Sequence, residues 1–121
     1  MLLDFDGDGE LELGSITPFH GDTLRVYKKN ATGAYEPCWE YPEKCDFLHA
    51  TWADALFGKP AWFVGHRNNE RRSMAITCDG EYKTEVFDTG AGAANALMLD
   101  GTRLLMANRE TDEIAIYTFI N

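Results

Sequence analysis

One unit recurs along this chain, and an internal repeat limits the fold more than any local propensity. Each copy must adopt the same few elements and stack on the next. Gly33-Ala34-Tyr35-Glu36 returns as Gly80-Glu81-Tyr82-Lys83. Each leads into an extended run with aromatics, Cys38-Trp39-Glu40-Tyr41 in one copy and Val86-Phe87 in the other. Small-residue segments follow, His49-Ala50-Thr51-Trp52 and Asn95-Ala96-Leu97-Met98, so that His49 and Asn95 fall at matching repeat positions. Upstream stand three alternating runs, Leu24-Arg25-Val26-Tyr27, Met74-Ala75-Ile76-Thr77 and Ile114-Ala115-Ile116-Tyr117. A further apolar run precedes each of them: Leu11-Glu12-Leu13-Gly14, Trp62-Phe63-Val64-Gly65 and Leu104-Leu105-Met106-Ala107.

Within a unit the period is two, and the breaks carry Gly21-Asp22, Asn68-Asn69, Asp79-Gly80 and Asp100-Gly101. These are strand and hairpin signals. Helical spacing is nowhere sustained, so little or no helix is expected. Four antiparallel strands in about 40 to 50 residues is the pattern of a β-propeller blade. The expected fold is all-β, a partial β-propeller of about two and a half to three four-stranded antiparallel blades. Blade 1 covers about 1–44, blade 2 about 45–90 and an incomplete blade 3 about 91–121. In the middle blade the spacing predicts strands near 47–56, 60–66, 71–77 and 81–88. The chain begins inside an innermost strand and stops after a third strand. Such a segment cannot close a ring alone, and bare sheet edges invite pairing. The expected partner is therefore another copy, a homo-oligomer completing the ring, unless the chain is part of a longer propeller.

Charge removes several function classes. The 20 acidic and 11 basic residues give a net charge of −9, which repels phosphate backbones and anionic lipid. Arg67, Arg71 and Arg72 are interrupted by Glu70 and form no basic stripe. No phosphate-binding glycine pattern is present, and Gly90-Ala91-Gly92-Ala93 reads as a connection between blades. No apolar run reaches the roughly 18 residues that span a bilayer, and no leader pattern opens the chain. Neither nucleic acid nor membrane is an expected partner. Cys38, Cys45 and Cys78 are odd in number and lack metal-ligand spacing, so reduced thiols and a cytoplasmic setting are favoured. Asn30-Ala31-Thr32 fits a glycosylation sequon, but one triplet in a turn says little of secretion.

The segment Asp4 to Glu12, DFDGDGELE, carries the clearest chemistry. Asp4, Asp6 and Asp8 alternate with Phe5 and Gly7; Gly9 permits a sharp turn, Glu10 can offer its backbone carbonyl, and Glu12 returns a carboxylate. Calcium takes about six to eight oxygens, and closely spaced carboxylates repel one another without a cation among them. An EF-hand needs a bidentate Glu at the twelfth position of the loop and flanking helices; that position is Ser15, and the flanks are strand-like. An acidic hairpin turn without an ion is the plainer alternative.

Asp4, Asp6, Asp8, Gly9 and Glu12 resemble the calcium loop of the FG-GAP and VCBS-type repeats, whose blades carry DxDxDGxxD before an apolar strand. The departure is Glu12, where that family usually has Asp. The resemblance implies a propeller with one calcium in its first hairpin, since the later units read Ala55-Leu56-Phe57-Gly58-Lys59 and Asp100-Gly101 at the same place.

Ligand candidates lie elsewhere. After the second strand of each unit come polar connections bearing His20, then His66 and Arg67, then Asn108 and Arg109. In a propeller these share one face, although Asn, Asp and Gly are also ordinary turn chemistry. His49, Trp52 and Asn95 fall on innermost strands, where they face a channel or simply pack. A zinc site from His20, His49 and His66 would draw on scattered positions, and Cys45 stands four residues before His49 without a nucleophile motif. The leading functional expectation is a non-catalytic calcium-binding module that takes a carbohydrate or protein ligand on its loop face or in its channel. One alternative is part of an enzyme using channel histidines, since a similar repeat forms the propeller of some sugar lyases of the aldos-2-ulose dehydratase kind; another is the C-terminal part of a longer propeller whose function lies in the other blades.

Overall fold

The computed structural model describes residues 2–16, 24–43, 48–66, 73–88, 93–98, 100–108 and 113–120, with the backbone alone described at 48–53, 66, 88, 93–98 and 108. Within these residues the chain is all-β. The strands are β1 (Leu2–Leu3), β2 (Glu12–Ile16), β3 (Leu24–Lys29), β4 (Tyr35–Glu40), β5 (Leu48–Leu56), β6 (Lys59–His66), β7 (Ser73–Cys78), β8 (Tyr82–Asp88), β9 (Ala93–Met98), β10 (Arg103–Asn108) and β11 (Glu113–Thr118). They form three antiparallel meanders, β1-β2-β3-β4, β5-β6-β7-β8 and β9-β10-β11. The four strands expected for the middle unit stand within two residues of β5 to β8.

Turn chemistry fixes the hairpins. Between β3 and β4, Asn30 Oδ1 accepts the N–H groups of Thr32 and Ala34 at 2.9 and 3.0 Å and the Thr32 hydroxyl at 2.7 Å. The sequon residues thus build the turn itself. Between β9 and β10, Asp100 does the same work: its Oδ1 accepts Thr102 and Arg103 N–H, and its Oδ2 meets Arg103 Nε at 2.8 Å. The Thr102 hydroxyl and the Arg103 guanidinium hold the Asp100 carboxyl down to about 2. Asp100 thus staples the turn.

The sheets pack in series, and β6 explains why. Ala61, Trp62, Phe63 and Val64 are all fully buried, a continuous apolar run that only a strand covered on both faces can use. Trp62 and Val64 join Met74 and Ile76 against Phe5, Leu24, Val26 and Tyr41 of the first unit. Ala61, Phe63 and Ala75 pack on the other face against Leu104, with Phe87, Tyr117 and Phe119 at the margin. Trp62 needs room, and Gly14 supplies it: a Cβ there would lie 3.1 Å from the indole ring.

Two repeat equivalences read from sequence are off by one residue. Aligning Ile114 and Ile116 with Met74 and Ile76 predicts that all four are buried. Pairings Trp62↔Ile76 and Leu104↔Tyr117 instead match Ile76 with Tyr117, so Ile114 and Ile116 face solvent at 74% and 60% exposure. A one-residue slip turns every side chain to the other face of a strand. Similarly, β5 pairs Leu48↔His66 and Ala50↔Gly65, skipping His49, while β9 pairs Ala93↔Asn108 and Asn95↔Ala107, skipping Ala94. His49 therefore corresponds to Ala94 in a shared bulge, and Asn95 to Ala50.

Candidate metal centre

The acidic segment is hung from the core by the residue between its first two acids. Phe5 is 1% exposed, with its ring centroid 5.9 Å from those of Trp62 and Tyr82. Burying a phenylalanine contributes about 1.5–3 kcal/mol, enough to fix the loop's base while the alternating acids turn the other way. Above it the chain reverses through Gly7 and Gly9, both left-handed at φ 74 and 91.

Backbone amides then position the carboxylates. Asp4 accepts Gly7 N–H on Oδ1 and Gly9 N–H on Oδ2, each at 3.0 Å. Asp6 Oδ1 accepts Asp8 N–H at 3.2 Å, and Asp8 Oδ1 accepts Glu10 N–H at 2.8 Å. Glu12, the first residue of β2, accepts Asp6 N–H on Oε1 at 3.2 Å. One carboxylate oxygen each from Asp4, Asp6, Asp8 and Glu12 lies within 4.8 Å of the others. Ligands placed at about 2.3–2.6 Å around one calcium ion are separated by at most about 5.2 Å, so these four fit a single centre. The Glu10 carboxylate is not in the group; Glu10 is exposed at the loop's edge.

Charge in this cluster is unbalanced. Even at the widest separation, 4.8 Å, two ionised carboxylates repel by about 1 to 3.5 kcal/mol as the effective dielectric falls from water's to that of a protein surface. Lys28 supplies one positive charge: its Nζ lies 2.5 Å from Asp6 Oδ2 and 2.6 Å from Asp8 Oδ2. Both carboxylates raise the Lys28 ammonium above its ordinary range. Burial works to raise Asp6, yet the Lys28 hydrogen bond and the Asp8 N–H outweigh it and draw Asp6 down to about 2. Glu12 is relieved less, since burial outweighs the lowering by the Asp6 N–H and the Lys28 charge. It is completely buried, its Oε2 has no hydrogen-bond partner, and burial together with the Asp6 charge pushes it up to about 7.

The chain matches no protein-family model, no curated protein and no solved structure.

Lys28 is the residue that sequence reading missed. Its signal was present in the alternation, because Leu24, Val26 and Lys28 occupy one side of β3, two of them buried. A lysine continuing a buried stripe reaches the end of the sheet where the acids stand. His20, Arg67 and Arg109 lie outside the described residues, as do Cys45 and the Gly90–Gly92 stretch. For His49, Trp52, His66, Asn95 and Asn108 the strand position is described and the side chain is not. Cys38 and Cys78 are free thiols, the former 3.9 Å from the Tyr82 hydroxyl.

Proposed function

We propose that the first hairpin is a calcium site, that the three sheets are successive blades of a β-propeller, and that the whole is a non-catalytic binding module whose first blade the ion stiffens. One observation carries the calcium reading. The buried, unpartnered Glu12 Oε2 stands among three aspartates, and an unpaired buried acceptor costs about 1–3 kcal/mol, more when charged. A divalent ion would remove that cost and the mutual repulsion together. Asp4, Asp6, Asp8 and Glu12 would supply side-chain oxygens, and Glu10 its backbone carbonyl. Glu12 in place of the aspartate usual in FG-GAP and VCBS-type loops suits a residue that must reach from inside the sheet. The propeller reading rests on the serial packing of four-stranded meanders through β6.

Calcium should raise the melting temperature. At a free concentration about 100 times the dissociation constant, mass action contributes about 2.7 kcal/mol, or about 8–16 °C for a domain near this size. Scanning calorimetry with millimolar calcium against chelator reads it, and coincident transitions would remove the site.

A second reading has its own observation, the Lys28 ammonium between Asp6 and Asp8, by which the lysine is the resident cation. Lys28→Met keeps the apolar stem and removes the charge. If calcium binds here, this variant binds it about tenfold more tightly, because a competing positive charge within a few ångströms is gone. If Lys28 is the resident cation, the variant melts lower whether calcium is present or chelated.

A further inference from the structure

We propose that the hollow between the second and third sheets is a binding site for a small alkylammonium cation. It is bounded by the β5–β6 turn, by β8 and by the end of β11, and it shares no residue with the acidic centre. Its volume is about 310 Å³, and its walls include Phe57, Glu85, Phe87, Tyr117 and Phe119. That size is at the lower end for small-molecule sites, which are about 300–1,000 Å³.

The rings form a corner. Phe87 stands edge-to-face with Tyr117 at 5.1 Å and 71° and with Phe119 at 5.2 Å and 73°. A cation seated in the angle between near-perpendicular rings lies over the face of each, the arrangement by which aromatic cages hold quaternary ammonium groups. Glu85 stands two residues before Phe87 on β8, and both line the hollow. It is exposed, and among the described residues no cation pairs with it. None of the lining residues is basic, and Arg103 on the neighbouring strand is held by Asp100. Aromatic faces, one carboxylate and a chain of net charge −9 select a soft cation over an anion or a neutral apolar molecule.

Phe57 is the second, independent observation. Leu56 pairs with Lys59, so Phe57 and Gly58 are a two-residue turn, with φ 52 and 76. Such turns want Asn, Asp or Gly at both places, and a bulky residue with positive φ is an outlier. Phe57 N–H donates to Gly101 O at 2.9 Å, which locks the turn to the third sheet with its aromatic ring on the hollow. Local strain of this kind is concentrated where a side chain serves a ligand.

The test is calorimetric titration of the full chain with choline chloride and, separately, with 3,3-dimethylbutan-1-ol, its neutral isostere. All titrations are run in chelator, so failure of the calcium reading leaves the result untouched. Choline should bind about tenfold more tightly than the alcohol. Glu85→Gln should weaken choline about fivefold and leave the alcohol unchanged. Phe57→Asn, which suits the turn and therefore folds, should weaken both. Equal affinity for the two probes, no choline binding at tens of millimolar, or full choline affinity in both variants would overturn the proposal.

Discussion

Trp62→Ala should remove a large share of this protein's stability, about 3–5 kcal/mol from the total of about 5–15 kcal/mol on which a small domain stands. Trp62 heads the fully buried side chains by volume, and its ring rests on the β2 backbone at Gly14. No neighbouring side chain can fill the space from that side, because Gly14 has none, so the cavity would persist rather than collapse. The loss would extend to the acidic centre. Phe5, the anchor of that loop, packs on the indole, and freeing Phe5 lets Asp4 and Asp6 move apart. A urea titration should therefore show a lower midpoint and, in the same variant, a smaller stabilisation by calcium. Leu104→Ala separates the two effects. It opens a cavity in the other core cluster, costs about 2–4 kcal/mol, and leaves the calcium increment unchanged. A Trp62→Ala loss below about 1 kcal/mol would mean that the first two sheets do not depend on this contact.

The sheets were legible because the repeat states them three times and because turn residues are local: Asp79-Gly80 and Asp100-Gly101 mark hairpins wherever they stand. The pairing register was not. A bulge at His49 or Ala94 shifts the count by one residue, and the apolar and small residues on either side make both alignments look alike. Ile114 and Ile116 slip for a different reason: β10 and β11 pair without a bulge, so the shift comes from the length of the connection between them, and the two residues are apolar by sequence and exposed by register. The aspartates were legible as a group because the ligands of a loop are neighbours in sequence. Lys28 was not, since it reaches Asp6 across 22 positions and only the β2–β3 pairing brings it there. Nor could composition foresee that Glu12 would be wholly buried; that follows from its place as the first inward residue of β2, opposite Leu3. Phe57 looked like a loss of the acidic loop, and only its left-handed backbone gives it a different meaning.

Glu12→Gln should reverse sign with calcium, which makes it the most informative substitution in the chain. In chelator the variant should be the more stable protein. Glutamine keeps an acceptor for Asp6 N–H, brings a donor toward the aspartates, and removes a buried carboxylate whose Oε2 has no partner; the gain should be about 1–3 kcal/mol. In millimolar calcium the order should invert, because the amide carries no charge for the ion and the variant loses most of the calcium increment. The pH dependence supplies an internal control. Glu12 is raised in the folded protein to about 7 from the 4.5 of an ordinary glutamate, so between those values the native state holds a proton that the unfolded chain has released. Stability then falls as pH rises through that window. The contribution is complete below about 4.5 and gone above about 7. Asp6, held down to about 2, acts with the opposite sign and only in acid, so the two do not overlap. The parent in chelator should therefore melt lower at pH 8 than at pH 5.5, and Glu12→Gln should flatten that slope. If the variant instead melts lower than the parent in chelator at pH 8, Glu12 is satisfied without an ion, and the charge that organises this hairpin is that of Lys28.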